Sequence, residues 1–216
     1  MIPQIDAEIG ISTYSSSFKG CGGKIREKAE DFEVSEILSK KTLEMISQNS
    51  GYAVYKLKKH NLDTSHALNE IFQKHRIKLK ALGLKDAFAF TEQFVCSLNK
   101  SKSLSHLSEK KYSLEKIGFV KKPLSKKDMI GNNFKIKITD ASSDFSNFDE
   151  YEKILNYFGY QRFGSKRPVT HLIGKEILKK NYEKAIQILL SFTSKYDSKE
   201  NTVIRNSCQT NQNFQN

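Results

Sequence analysis

Three short stretches of this 216-residue chain hold residue types that could do chemistry. In Gly83-Leu84-Lys85-Asp86-Ala87-Phe88-Ala89-Phe90-Thr91-Glu92-Gln93, a single carboxylate follows a glycine and a lysine, between two segments of strand-like pattern. A carboxylate at a strand end, beside a cation, stays ionised in a partly dry site because the cation favours the charged form. Such a group acts as a nucleophile or a base. The competing reading is an ordinary turn aspartate, and the stretch alone does not separate the two.

The second stretch is Asn156-Tyr157-Phe158-Gly159-Tyr160-Gln161-Arg162-Phe163-Gly164, where aromatics alternate with amides and a guanidinium between two glycines. That mixture suits a nucleotide: rings stack on a base, amides bond its polar edge, and arginine meets phosphate. It equally suits a helix end whose aromatics face a core. The third is Arg26-Glu27-Lys28-Ala29-Glu30-Asp31-Phe32-Glu33-Val34, which reads either as a solvated charged edge leading into a strand or as a site.

The elements that must position these residues follow from periodicity. Residues 24–26 and 32–38 read as extended segments, the second with Phe32, Val34 and Leu38 in alternation. Residues 52–57 alternate as a strand, and Asp63 or Thr64 caps a helix to His75 with Ala67, Leu68, Ile71 and Phe72 as its apolar stripe. Strands are predicted over 79–84, 88–99, 113–120 and 134–139, with a Lys-rich loop containing Pro123 before the last. Ser146 and Asp149 begin a helix with Phe148, Tyr151 and Leu155 inward. Pro168 opens another with Val169, Leu172, Ile173 and Ile177 inward, and 181–190 forms a third. Strands joined by short links, without a regular βαβ alternation, predict an α+β fold with a mixed, largely antiparallel sheet and helices packed on it. The expected organisation is a flexible lead-in (1–22), a strand-rich region (23–167), a helical stretch (168–193) and a polar disordered tail (194–216).

Composition narrows the partners. The net charge is +12, concentrated in 100–137, where 11 lysines face three acids, and in 55–80, while residues 1–50 are slightly acidic. A concentrated positive field favours a polyanion by counterion release. Cys21, Cys96 and Cys208 are too few and too scattered for a disulfide framework or a Cys-x2-Cys zinc site, which predicts a reducing, cytoplasmic setting. No run of 18 apolar residues occurs, so no membrane span is expected.

Taken together, the three stretches resemble the signature motifs of the TruD family of tRNA pseudouridine synthases, in the family's order. A basic residue followed by Pro-Glu-Asp-Phe is matched by Arg26 and Ala29-Glu30-Asp31-Phe32, with alanine where the family has proline. Gly-x-Lys-Asp with Ala-x-Thr-x-Gln falls on Gly83, Lys85, Asp86, Ala89, Thr91 and Gln93. The nine-residue third motif is matched in full over 156–164, and Gly131-Asn132-x-Phe134 is a weaker fourth. The resemblance covers roughly residues 20–180. Members of the family are longer than this chain: after the third motif they insert a second domain and then return to finish the catalytic sheet. The resemblance therefore makes 23–167 a partial catalytic domain and 168–193 the start of the helical insertion.

The resemblance implies a monomeric enzyme that isomerises a uridine of tRNA to pseudouridine, the family's usual target being position 13 in the D-arm region. It implies no metal and no organic cofactor. It makes Asp86 the catalytic residue, attacking the sugar, attacking the base or abstracting a sugar proton. It implies substrate or RNA contacts from Arg26, Phe32, Lys85, Asn156, Phe158, Gln161 and Arg162, with Gln161 and Arg162 equally able to hold their own loop together. Lys85 and Arg26 are the basic groups expected to keep Asp86 charged, and the lysines of 110–137 to follow the phosphate backbone. Two other readings stand beside it: a truncated, inactive RNA-binding remnant of the family, and a generic basic interaction protein, which explains the charge but not the motifs.

Overall fold

The computed structural model describes residues 2–14, 20–47, 49–100, 103–142 and 157–210. In chain order its elements are α1 (Gln4–Glu8), β1 (Gly22–Ile25), β2 (Phe32–Leu38), α2 (Lys40–Glu44), β3 (Tyr52–His60), α3 (Thr64–His75), β4 (Leu79–Ala81) and β5 (Phe90–Ser97). There follow β6 (His106–Ser108), β7 (Tyr112–Val120), β8 (Met129–Ile136), β9 (Ile138–Ala141), α4 (Tyr160–Phe163), α5 (Thr170–Leu178), α6 (Tyr182–Ser191) and α7 (Lys199–Thr210). The chain divides into two compact units. Gly20–Phe145 holds all the described strands, and Met1–Lys19 with Ser146–Asn216 is helical among its described residues.

The first unit is built on a seven-stranded sheet in the order β6-β7-β3-β5-β2-β8, with β4 added beside β5. Only β2 and β5 run parallel; the other neighbours are antiparallel. The mixed, largely antiparallel α+β architecture is the one the pattern predicts. One edge of β5 is shared: β2 pairs with residues 90–92 and β4 with 95–97. The gap between them falls at residues 93 and 94, where side chains complete the bonding.

Side-chain alternation assigns the two faces. Ala53, Tyr55 and Leu57 of β3 pack with Val95 and Leu114 beneath Ala67 and Ile71 of α3. Val54 points the other way and joins Leu38, Phe94, Cys96, Val120 and Leu124. Asp63 caps α3 by accepting from the His66 amide at 3.0 Å, and the left-handed Arg76 (φ 57°) ends it. Phe72, expected in the apolar stripe, lies at its margin, partly exposed beneath the Arg76 guanidinium.

Several expectations are corrected. The boundary between units falls near residue 145 rather than 167, and the lead-in belongs with the C-terminal helices. Tyr160 donates to Asp6 and Lys195 to Gln4, bonds no periodicity could reveal. The single strand expected over 134–139 is two: β8 starts at Met129 to pair along β2, and β9 turns away to pair with β1. Residues 199–210 of the polar tail form α7. This helix is held by polar bonds in place of an apolar stripe: Arg205 reaches Asp197 and the Leu189 carbonyl, and Gln209 reaches the Ser191 carbonyl. The helix expected from Ser146, with Phe148, Tyr151 and Leu155 inward, lies outside the described residues.

Among the described residues no helix is long and apolar enough to cross a membrane, and no group of three or more His, Cys, Asp or Glu is placed to hold a metal ion.

Candidate active site

Asp86 sits in the loop between β4 and β5, its side chain 56% exposed. Arg26, 60 residues earlier, places Nη2 at 2.7 Å from Asp86 Oδ2. The guanidinium also lies 3.7 Å from the centre of the Phe32 ring, which is itself buried and meets Phe134 of β8 edge-on at 6.1 Å. Arg26 adopts a left-handed backbone (φ 61°), a strained conformation for a residue with a Cβ. The strain turns the side chain off the end of β1 onto both partners. An exposed ion pair of this kind contributes little to stability; its use is orientation, since one oxygen of Asp86 is directed by a guanidinium that an aromatic face holds flat.

The loop carrying Asp86 is held from beneath by four elements. From β2, Glu36 reaches Lys85 Nζ with Oε1 at 2.7 Å and accepts the Phe94 amide with Oε2 at 2.8 Å, filling the gap in the β5 ladder. From the start of α3, Thr64 accepts the Lys85 amide at 3.1 Å and donates to Gln93 Oε1 at 2.9 Å. From β5, Gln93 donates to the Gly83 carbonyl at 3.1 Å. From β3, Lys59 donates to the Asp86 carbonyl at 2.9 Å and the Leu62 carbonyl at 2.8 Å. Because Asp63 takes the helix cap, the Thr64 hydroxyl is left to the loop.

The spacing Ala89, Thr91, Gln93 now has a physical reason. All three are buried on one side of the chain, under the loop, where a period of two places them. Val34 pairs with Thr91 and Leu57 with Gln93, so this is also the α3 face of the sheet.

The structure thus brings Arg26, Phe32, Lys85 and Asp86 together in the sheet-bearing unit. Lys85 does not face Asp86. Its side chain is 8% exposed and turned inward onto Glu36, whose side chain is fully buried. Burial pushes the Lys59 ammonium down to about 8; Asp63 and Asp86 pull it back up, and Lys85 pushes further down. Sequence reasoning missed Glu36, Lys59 and Thr64. A signal was present for the first two: each is a charge placed in register with core residues, Glu36 after Phe32 and Val34, Lys59 after Tyr55 and Leu57.

Phe158, Gln161 and Arg162 belong to the helical unit. Gly159 precedes the single turn of α4, Phe158 is 71% exposed, and Gln161 and Arg162 are exposed on the turn. Phe163 faces inward, edge-on to His171 at 5.5 Å. Gly164 closes the turn at φ 104°, where a Cβ would lie 2.1 Å from the Arg167 carbonyl oxygen. Asn156 lies outside the described residues.

Residues 8–216 match the family model described as tRNA pseudouridine synthase D (TruD). The span includes the polar tail, in keeping with its folding as α7. Relatives named "Probable tRNA pseudouridine synthase D" include that of Methanosarcina barkeri, 32% identical over 208 residues (88% of this chain, 46% of the relative). That of Pyrococcus furiosus is 33% identical over 195 residues (87% and 46%). That of Saccharolobus solfataricus is 32% identical over 213 residues (94% and 55%). The crystal structure of the Methanosarcina mazei protein described as tRNA pseudouridine synthase D (TruD) superposes with a TM-score of 0.81 at 27% identity, covering 99% of this chain and 52% of that one. The chain spans about half the length of the relatives it matches. With the family model matched over nearly its whole length, and Arg26 and Phe32 of one motif gathered beside Asp86 of another, the chain belongs to the TruD family of tRNA pseudouridine synthases.

Proposed function

We propose that this chain acts in the isomerisation of uridine to pseudouridine in tRNA, with Asp86 as the reacting carboxylate. The observation that carries the reading is the contrast at Asp86: its carboxylate is open to solvent and aimed by Arg26, while the loop beneath it is tied to four elements of the sheet unit. A group so held keeps its geometry when a substrate arrives, which is where most of the advantage of an enzyme site lies.

The reaction exchanges one bond for another. The bond from ribose C1′ to uracil N1 breaks, the ring turns, and C1′ joins C5; the proton leaving C5 is balanced by the one gained at N1. Asp86 acts once a uridine has left its stack and entered beside Arg26. Arg26 orients it. Phe32 supports Arg26, and its edge and that of Phe134 offer apolar contact to a base. Phe158 stacks on the extruded base or a neighbour, and Asn156 bonds its polar edge. Gln161 and Arg162 contact RNA, a role their exposure supports over that of holding their own loop. Lys85 reaches the substrate only through the loop it stabilises, since its amine is engaged with Glu36. The lysines of 110–137 follow phosphate. The reading carries with it uridine 13 of the D-arm region as target, a cytoplasmic monomer, and no metal or organic cofactor.

Nucleoside analysis of a tRNA transcript after incubation tests it. Asp86→Asn should lower pseudouridine formation by on the order of 10³-fold or more without unfolding the chain; retained turnover would refute the assignment. Binding should weaken with salt at a log–log slope of about −0.7 to −0.9 per phosphate neutralised, and a flat dependence would remove the lysines from the interface.

A second reading, an RNA-binding remnant without turnover, is favoured by β8. It has no second strand beside it among the described residues, and Ile130, Phe134 and Ile136 stand exposed along it. Turnover by these 216 residues, compared with a full-length relative, separates the two.

A further inference from the structure

Lys59 occupies a position where a lysine is costly. It follows Ala53, Tyr55 and Leu57 in the inward register of β3 and is 1% exposed. Its described hydrogen-bond partners are main-chain carbonyls: Leu62 at 2.8 Å, Asp86 at 2.9 Å and, longer, Lys85 at 3.5 Å. An ammonium has three N–H donors and no acceptor, so three converging carbonyls satisfy it. A neutral amine has two donors and a lone pair, which would face one of those oxygens. The three carbonyls therefore match the three donors of an ammonium.

We propose that Lys59 is a positioning residue for Asp86: its buried ammonium clamps the carbonyls of Leu62, Lys85 and Asp86, fixing the backbone from which the carboxylate projects. Arg26 directs the side chain of Asp86 from outside; Lys59 holds its main chain from within. The importance of the clamp for turnover rests on the reading of Asp86 given above, but the clamp itself does not.

The surroundings set where the ammonium titrates. Asp63 faces Lys59 from the β3–α3 connection, Lys85 and Asp86 from the loop, Tyr112 from the paired position on β7, and Thr91, which does not titrate, from β5. Burial, outweighing the two carboxylates, lowers the Lys59 ammonium to about 8, whereas burial raises Tyr112 to about 12, so Lys59 deprotonates well before the tyrosine.

Amide hydrogen exchange on the whole chain tests the clamp without any need for turnover. The reporters are the Lys85 amide, bonded to Thr64, and the Ala89 amide, bonded to the Ala87 carbonyl. In Lys59→Met at neutral pH both should exchange about tenfold faster or more, the loss of roughly one charge-assisted bond, while Leu114 and Val95 amides stay protected. Lys59→Arg should restore much of the protection. In the unsubstituted chain, opening the loop returns the amine to water, where it holds its proton more tightly, so protection of the Lys85 amide, corrected for intrinsic exchange, should rise as pH passes about 8. Unchanged protection in Lys59→Met, or an equal loss across the sheet, would overturn the proposal. Should the substitutions unfold the chain, a flat pH dependence in the unsubstituted protein would overturn it as well. A turnover arm keeps the two readings apart: Lys59→Met should lower kcat with KM held. If Asp86→Asn left turnover intact, the reading of Asp86 would fall while the exchange result stood.

Discussion

Replacing Glu36 by Gln should be among the most damaging single changes in the sheet unit, although it alters one atom. The Glu36 side chain is fully buried, and its Oε1 lies 2.7 Å from the ammonium of Lys85, whose side chain is 8% exposed. Glutamine keeps an acceptor for the Phe94 amide, which Glu36 holds at 2.8 Å, so the β5 ladder stays complete. What it removes is the charge opposite Lys85. Breaking a buried pair by taking one partner costs about 3–5 kcal/mol, because the other charge remains desolvated. The exposed fraction of Lys85 favours the lower end, about 3 kcal/mol. Removing both charges, as Glu36→Gln with Lys85→Met, should recover most of that loss, since an uncharged pair of similar volume is often neutral or better. The double substitution should therefore be the more stable of the two, with a coupling of about 2 kcal/mol. Urea titration, followed through amide resonances of β3 and β5, reads the sheet-bearing unit alone. A loss of 3 kcal/mol would move the midpoint by about 1–2 M. If the single change cost less than about 1 kcal/mol, or the double change cost as much as the single, the ion pair would not be what holds Lys85.

Other expectations follow from single features. Lys59, lowered from 10.5 to about 8, is a base that loses its proton in the folded state first. Between about 8 and 10.5 the unfolded chain binds more protons, so this group's contribution to stability rises with pH by up to about 3 kcal/mol. The difference in unfolding free energy between the unsubstituted chain and Lys59→Met should show that rise, while the fall caused by Tyr112 above pH 10 cancels in it. Arg26→Gly should leave stability within about 1 kcal/mol, because relief of the left-handed strain offsets an exposed ion pair and a stacking contact, yet it should abolish turnover. Gly164→Ala should destabilise the helical unit by about 2 kcal/mol or more, since the new Cβ meets the carbonyl of Arg167, whose guanidinium caps α6 at Leu189 and Phe192. Thermal unfolding measures both.

The sequence by itself determined a good deal. Period-two alternation placed β2, β3, β5 and β7, and the cap at Asp63 with its apolar stripe placed α3, because these are local properties of backbone and side chain. It also carried the three motifs, and with them the choice of Asp86 and Arg26 from a chain in which neither stands out by composition. Tertiary structure alone decided the rest. Lys85 is the neighbour of Asp86 in sequence, yet its amine turns inward to β2, and the cation that meets Asp86 comes from 60 residues away. The folding of 199–210, and the attachment of the lead-in through Asp6 and Tyr160, depend on bonds to residues distant in the chain. Glu36 and Lys59 stood in the sequence as breaks in an apolar alternation, but which carbonyl or ammonium each would meet was settled only when β2, β3 and the loop were brought together. A buried charge is tolerable only beside its partner, and that partner is chosen by the fold.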